Sequence, residues 1–416
     1  MYMLKLGLDF GTSNLVMSRI DPKTREPKII PVGEFSTIPS IIYWNGKDEC
    51  QIGRPVWELI RSTSAMPDQE KREVIKYIFP NIKEYLHENI KFQVIGKTAV
   101  EICAKMIAEL KTIAEKGIFH QKISSICITY PAAFSETAIS NLLKAAELAG
   151  FTDIEKRTEP LADILGYSML EGYVDLGNGI LVYDLGGGTF DLAFARRDRD
   201  GAFHFPIQGG IPKLGGDVFD NKLYELICSK ADQKMERISI RERMQIRDMK
   251  HFLTENNSAS YHLPNGQCIS VTRAEFEEVI KPLVDQTIEK TKNIVKEVKD
   301  KKWTLSACLV VGGTSQIPLV RRALKELCRK EGLPKPLWQN EATFQAASLG
   351  ALVDLNAIEK QKPKDEAKDE AKDEVKDEAK EKSEGITIGY ESDSLDDDLI
   401  EIDCPPPQKT IRHILR

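Results

Sequence analysis

The chain has 416 residues, 41% of them apolar, which is enough to fill a large core divided among two or three ordinary domains. Its 58 lysines and arginines against 64 aspartates and glutamates leave a net charge of -6, so no overall positive field exists for nucleic acid or an anionic membrane. The opening MYMLKLGLDFG lacks a basic stretch ahead of an apolar helix, and no uncharged run approaches the roughly 18 residues that span a bilayer, so a soluble cytoplasmic protein is expected.

The first segment with a clear pattern, LKLGLDFGTSNLVMSRI, reads as two short apolar strands around a tight polar turn, with Asp9, Gly11, Thr12, Ser13 and Asn14 between the β-formers. Residues 135–149 read as an amphipathic helix: Ser135 can cap it, Ile139, Leu142, Leu143 and Ala146 share one face, and Gly150 stops it. The pattern of the first hairpin then returns in GILVYDLGGGTFDLAFARR, about 175 residues on, as apolar strand, Asp, one apolar residue, Gly, Thr and apolar strand. Such an internal repeat implies two similar lobes. A third segment, SACLVVGGTSQIPLVRRALKE, joins an apolar strand through Gly-Gly-Thr-Ser to a helix over 318–332 that carries Leu319, Val320, Ala323, Leu324 and Leu327. Strands with covering helices make the fold class α/β.

Past about residue 358 the character changes, because KPKDEAKDEAKDEVKDEAKEK repeats every four residues and has no apolar face wide enough to bury. A period of four drifts about 40° per repeat on a helix, while each aspartate precedes a lysine by three, as Asp365 does Lys368. A solvated single helix and a disordered spacer both fit. The closing SDSLDDDLIEIDCPPPQKTIRHILR reads as a disordered tail or as a docking peptide whose Leu399, Ile400 and Ile402 can add to a sheet edge. The eight cysteines are far apart, without a CxxC pair or a histidine at metal-ligand spacing, which argues against a zinc site or a disulfide framework.

A turn of Asp, Gly, Thr and Ser between two strands lets backbone N–H groups approach a phosphate closely, with hydroxyls to supplement them. One such turn is as readily an ordinary hairpin. Two of them, on lobes that face each other, would grip a triphosphate from both sides: Gly11, Thr12, Ser13 and Asn14 on one, Gly186, Gly187, Gly188 and Thr189 on the other. Asp9 and Asp184, at the mouths of those turns, would repel each other unless a cation stood between them, and magnesium held largely through its waters meets that need. Asp191, on the strand leaving the second turn, can polarise a water or hold the metal's shell. The glycines of the third segment permit close approach of a sugar or phosphate to a helix start.

DFGTSN, TYPAAF, TEPLAD, DLGGGTFD, LGGDVFDN and VGGTSQIP occur in the order and approximate spacing of the nucleotide-binding domain of the 70-kilodalton heat-shock proteins, and about residues 3 to 356 resemble that domain. Actin, bacterial filament proteins and sugar kinases share its fold, but DLGGGTFD followed by LGGDVFDN resembles the chaperone branch. The resemblance implies a two-lobed actin-like ATPase fold, with duplicated ribonuclease-H-like lobes around a nucleotide cleft. Lobe I would take residues 1–165, completed by about 338–357; lobe II would take 166–337; and 358–416 would be the charged tail.

The resemblance also implies roles. Gly11, Thr12, Ser13, Asn14, Gly186, Gly187 and Gly188 would bind phosphates. Asp9 and Asp184 would hold magnesium through water, and Asp191 would orient the attacking water. Thr189 would lie close to the transferred phosphate, Glu159 near the attacking water and the hinge, and Pro131 on the route between nucleotide and interdomain surface. A lysine beside the γ-phosphate is also implied, and Lys76 in EVIKYIFP is the candidate. Gly215, Gly216 and Asp217 resemble the ribose side of the pocket, and Gly312, Gly313 and Thr314 its adenosine side. The adenine clamp departs from the family: Lys250 and Thr254 are kept, but Arg247 stands where a glutamate is usual, and His251 and Gln316 stand in arginine positions. Imidazole stacks more weakly than guanidinium, so base affinity should be altered.

The function expected is a stand-alone, slowly hydrolysing ATPase of the heat-shock type, with ATP or ADP and Mg2+ as its ligands. Its nucleotide state would switch lobe closure for an unidentified protein partner or co-chaperone, without nucleic acid or membrane. No room for a peptide-gripping domain follows residue 356, so direct client holding is not expected. A filament-forming actin-like protein and an inactive nucleotide-binding module that recruits partners through its tail are the alternatives.

Overall fold

Near-continuous apolar runs in KLGLDF, GILVYDL and ACLVV suit strands covered on both faces, and each lies in the middle of a sheet. The structure is a computed structural model that describes residues 4–353 except 89, 173, 199–200, 233–237, 264 and 339–343. The KDEA repeat and the acidic and proline-rich tail lie outside the described residues.

The first sheet contains β1 (Lys5–Phe10), β2 (Asn14–Ile20), β3 (Pro27–Ile30), β4 (Ser125–Tyr130) and β5 (Asp153–Thr158). Their order is β5-β4-β1-β2-β3, with the short strand Ile38–Pro39 added to β2. The second contains β6 (Gly179–Leu185), β7 (Phe190–Arg197), β8 (Phe203–Ile211), β9 (Ala307–Val311) and β10 (Pro336–Trp338), in the order β8-β7-β6-β9-β10. In both, the first three strands form an antiparallel meander and the last two add in parallel to the first. The repeated hairpins are therefore the first two strands of a repeated sheet.

Ten helices are used below. In the first half they are α1 (Arg54–Ser62), α2 (Asp68–Ile75), α3 (Ala99–Ala114), α4 (Glu136–Leu148) and α5 (Glu159–Leu170). In the second half they are α6 (Gly216–Lys230), α7 (Ile240–Glu255), α8 (Arg273–Asp300), α9 (Pro318–Glu331) and α10 (Ala346–Leu352). The helix expected over 135–149 is α4: Ser135 Oγ accepts from the Ala138 N–H at 3.2 Å, which satisfies one orphan donor of the first turn. The helix expected over 318–332 is α9, closed by Gly332 in the left-handed conformation. No described helix is long and apolar enough to cross a membrane.

Leu6, Leu8, Phe10 and Met17 of the first sheet share a core with Ile102, Met106 and Leu110 of α3 and Leu142 of α4. Leu181, Tyr183 and Phe194 of the second share one with Phe219, Leu223, Phe276 and Ile280 from α6 and α8. α5 and α10 then tie the halves together by exchange. α5 follows β5 in sequence yet sends Ile164 and Tyr167 into a core with Ile180, Val182 and Leu309 of the second sheet. α10 follows β10, yet its Ala351 and Leu352 pack on Cys127 of the first, and its Ser348 carbonyl accepts from Ser18 Oγ at 2.6 Å. The two helices cross almost in backbone contact: a Cβ on Gly166 would fall 2.0 Å from the Ala346 carbonyl, and one on Gly350 1.8 Å from that of Ala162. The expected lobe division at 165/166 falls inside α5.

Each half carries an insertion between the third and fourth strands of its sheet. In the first this is the sheet Cys50–Ile52, Ile41–Trp44 and Ile78–Pro80 with α1; in the second it is α7 with the hairpin Ser258–His262 and Cys268–Thr272. The insertions meet across the cleft, where Ile240 and Met244 of α7 pack against Ile41, Val56, Ile60 and Ile78.

Candidate functional site

β1 and β6 end in the turns of the two repeated hairpins, and the structure brings those turns face to face. A Cβ on Gly187 would fall 1.9 Å from Ser13 Oγ, and one on Gly188 would fall 3.0 Å from Thr12 Cγ2. The second turn is braced from behind by the start of α6, since the Gly216 N–H donates to the Gly186 carbonyl at 3.0 Å and the Asp217 N–H to that of Gly187 at 2.8 Å. Thr314, in the short 3-10 helix Gly313–Gln316, adds a hydroxyl bond to the Gly186 carbonyl at 2.7 Å. Gly312 turns beneath it at φ 83°, where a side chain would lie 2.4 Å from Asp184 Oδ1. Between the turns is a cavity of about 140 Å³. Asp9, Gly11, Thr12, Ser13, Asn14 and Pro131 line it from the first half. Glu159 stands at the start of α5, and Asp184, Gly186, Gly187, Gly188, Thr189, Gly312 and Gly313 line the far side.

Two further charged residues belong to this cavity. Lys83, in the 3-10 helix Ile82–His87, is 3% exposed and donates to Glu159 Oε1 at 2.8 Å. Asp163, one helical turn after Glu159 on α5, is also buried. With Asp9, Asp184 and Asp191 this makes five carboxyl groups around one lysine. Burial, then the Glu159 charge, pushes Asp9 up to about 6, although Lys83 and a 3.0 Å hydrogen bond from Thr129 Oγ1 oppose the shift. Burial also pushes Asp191 up to about 6, against the Thr189 hydroxyl and the Ala133 backbone. Burial, then the Glu159, Asp191 and Asp9 charges, holds Asp184 well above the usual carboxylate range, and burial, then the Asp184, Asp9 and Glu159 charges, does the same to Asp163. The Oδ1 atom of Asp191 is buried with no hydrogen-bond partner among the described residues.

The cluster is short of positive charge, and an orphaned buried oxygen marks where it is short. A divalent cation fits that deficit. Among the described residues no three acidic, histidine or cysteine side chains converge closely enough to ligate a metal directly, so the donor set suits a cation that keeps its waters, as magnesium does. The backbone N–H groups of both turns suit a chain of phosphates.

Two expected catalytic residues do not line the cavity: Asp191, which is buried, and Lys76. Lys76 caps the C-terminus of α2, ion-paired to Glu73 at 2.5 Å on the surface, and the cavity lysine is Lys83. The correction has a local cause: α2 is a short surface helix without a buried residue, whereas Lys83 sits between the buried Ile82 and Leu86 contacts and is drawn inward with them. Asp163 was missed in the sequence, although TEPLAD carried a signal for it, because a carboxyl four residues after Glu159 lies on the same helix face.

The base-side residues are near one another but engaged. Lys250 Nζ donates to the Gly216 carbonyl at 2.9 Å and pairs with Asp220 at 2.8 Å, so it holds the start of α6 in place. Gly215 sits against the Gly187 carbonyl, where a Cβ would fall 2.5 Å away. Thr254 Oγ1 donates back to the Lys250 carbonyl at 3.1 Å, and Gln316 Oε1 accepts from Arg321 at 2.5 Å. His251 is pushed down to about 3 by burial and by Lys250 and Arg247, so its imidazole is neutral at physiological pH.

A second cavity of about 490 Å³ opens between the two insertions, sharing Ser13 with the first. Asn81 Nδ2 crosses its floor to Asp217 Oδ2 at 2.8 Å, and the Arg247 guanidinium lies 5.7 Å over the Trp57 ring.

A family model described as "Hsp70 protein" matches residues 5–363. The chain is 27% identical over 387 residues to "Chaperone protein HscA homolog" of Polynucleobacter necessarius subsp. necessarius (strain STIR1), an alignment that covers 87% of this chain and 59% of that one. It is also 27% identical over 350 residues to "Chaperone protein HscA" of Buchnera aphidicola subsp. Baizongia pistaciae (strain Bp), covering 79% and 66%. It thus spans about three fifths of the length of the curated relatives it matches.

Proposed function

The chain belongs to the Hsp70 family, and from that premise we propose that it binds ATP with magnesium in the cleft and hydrolyses it slowly. The observation that carries this reading is the contact of two glycine turns, from the two repeated hairpins, over five carboxyls and one buried lysine.

Gly11, Thr12, Ser13 and Asn14 hold the phosphate chain from one side, and Gly186, Gly187, Gly188 and Thr189 from the other. Asp9 and Asp184 hold magnesium through water, and its charge offsets that of the phosphates and of the carboxyl cluster. Lys83 supplies the one side-chain cation. Asp191 and Glu159 orient the attacking water, and the raised proton affinity of Asp191 suits it to accept a proton from that water. The sugar rests against Gly215, Gly216 and Asp217, and the base lies between α7 and the turn at Gly312 and Gly313. Little covalent work is required of the protein, because positioning and charge neutralisation supply most of the effect.

The two halves, each built on one of the repeated sheets, act as two bodies that hinge where α5 crosses α10. Each body supplies half of the phosphate cradle, so nucleotide state biases closure, and a protein partner senses it. This is the chaperone-type use of the fold that the HscA names of the relatives support.

Calorimetric binding of ATP, ADP and GTP with magnesium, followed by phosphate release from wild type, Asp9→Ala and Asp184→Ala, tests the reading. Expected are micromolar or tighter ATP binding and loss of release in both variants. Equal release in all three proteins would end the catalytic assignment.

A further inference from the structure

Among the described residues that line the first cavity, Phe344 alone carries an aromatic ring, and the scheme above gives it no part. It lies two residues before α10, whose Ala346 carbonyl is almost in backbone contact with Gly166 of α5, so the crossing of those helices sets its position. The edge of the ring faces the third glycine turn: a Cβ on Gly313 would fall 3.2 Å from Phe344 Cε1 and 3.8 Å from its Cζ. That turn is tied to the second one, because the Thr314 hydroxyl donates to the Gly186 carbonyl at 2.7 Å. The ring therefore stands where the proposed phosphate cradle ends and the proposed base site begins.

A phenyl ring gains by burial, yet this one is 38% exposed and opens on a cavity lined mostly by glycines, hydroxyls and carboxyls. Among the described residues no other ring and no cation stacks on it. The long side chains around the proposed base site are, by contrast, engaged: Gln316 with Arg321, Arg247 over Trp57, and Lys250 with Gly216 and Asp220. His251 belongs to α7, the opposite wall of that site. On the wall formed by the Gly313 turn, Phe344 is the planar group that a base would meet.

We propose that Phe344 is a specificity-determining residue of the cleft, whose ring is the platform on which the purine base of a nucleotide stacks while the phosphates are held between the repeated turns. Every base presents a π-face, so an aromatic platform selects for a wide flat ring and not for particular hydrogen-bond donors. A purine overlaps a phenyl ring more than a pyrimidine does. ATP and GTP are therefore held alike, and both are held better than UTP. Stacking from the segment before α10 also offsets the loss of guanidinium stacking at His251 and Gln316, where the clamp departs from the family.

The inference rests on the nucleotide reading above, and one set of titrations keeps the two apart. ATP, GTP, UTP and inorganic tripolyphosphate, each with magnesium, are titrated calorimetrically into wild type, Phe344→Ala, Phe344→Leu and Phe344→Trp. Loss of one base–aromatic stack should weaken ATP and GTP by about tenfold in both Phe344→Ala and Phe344→Leu, with UTP affected less and tripolyphosphate unchanged. Phe344→Trp should keep its purine affinity, and the emission of the added indole should be quenched by ATP but not by tripolyphosphate. Leucine keeps the apolar volume without the ring face, so full purine affinity in Phe344→Leu overturns the stacking role. Equal losses for ATP and tripolyphosphate overturn it too, because a ring that only shapes the cavity acts on both. Wild type that binds neither ATP nor tripolyphosphate overturns the nucleotide reading itself.

Discussion

At the end of the cleft proposed to take the phosphates, Gly187 and Gly188 approach Ser13 and Thr12 so closely that no side chain fits between the turns, and the atoms proposed to grip are backbone. At the base end the wall consists of long side chains already occupied: Lys250 with Gly216 and Asp220, Gln316 with Arg321, and Arg247 over Trp57. The first region tolerates little change, because backbone turns braced from behind cannot move to make room. The second can re-pair its side chains at modest cost, so substitutions there should tune binding without abolishing it.

The largest effect is expected at the lysine of the carboxyl cluster. Lys83→Ala leaves Glu159 and four other carboxyls without an internal counter-charge. Breaking such a pair typically costs about 3–5 kcal/mol of stability, and phosphate release should fall by about 100-fold or more. Lys76→Ala should match wild type in both chemical denaturation and turnover, and a loss there equal to that of Lys83→Ala would return the role to the surface lysine. Next comes Gly187→Ala, whose methyl would meet Ser13 Oγ at 1.9 Å. Displacing the turn by about 1 Å should weaken ATP binding by roughly 10- to 100-fold in calorimetry. The double variant with Ser13→Gly should recover part of that loss, and failure to recover would mean the contact is not the cause. Smallest are Arg247→Glu and His251→Arg at the base wall. A stacking or cation–π change is worth about 0.5–1 kcal/mol, so ATP and GTP affinities should shift by only about two- to fivefold. A shift as large as that of Gly187→Ala would erase the contrast between the two ends.

The hairpins, the glycine turns and the capped helices were legible because each depends on neighbours a few residues away. Alternation and β-formers give the strands, small residues give the turns, and Ser135 and Gly332 give the ends of α4 and α9. The repeat further implied two lobes, and the shared strand order of both sheets follows the same duplication. Lys83 was not legible. A lysine in IKEYLH looks like any surface lysine, and only its burial against Glu159, 76 positions away, distinguishes it from Lys76. The base-side residues were read as a clamp that departs from the family, and the partners the fold gives them, Asp220 and Gly216 for Lys250 and Arg321 for Gln316, were not legible in that pattern.

Local chemistry, then, was sufficient to say that this chain makes two glycine turns, two α/β lobes and a cluster of acids at their mouths, since strand patterning and turn geometry act over short stretches of chain. Which turn touches which, that α5 and α10 exchange sheets to make the joint, that Phe344 stands beside Gly313 and that Lys83 is the lysine drawn inside were decided only by the tertiary structure. Those pairings join residues far apart in sequence. Their energies depend on burial and on charges brought together by folding, which no local pattern encodes.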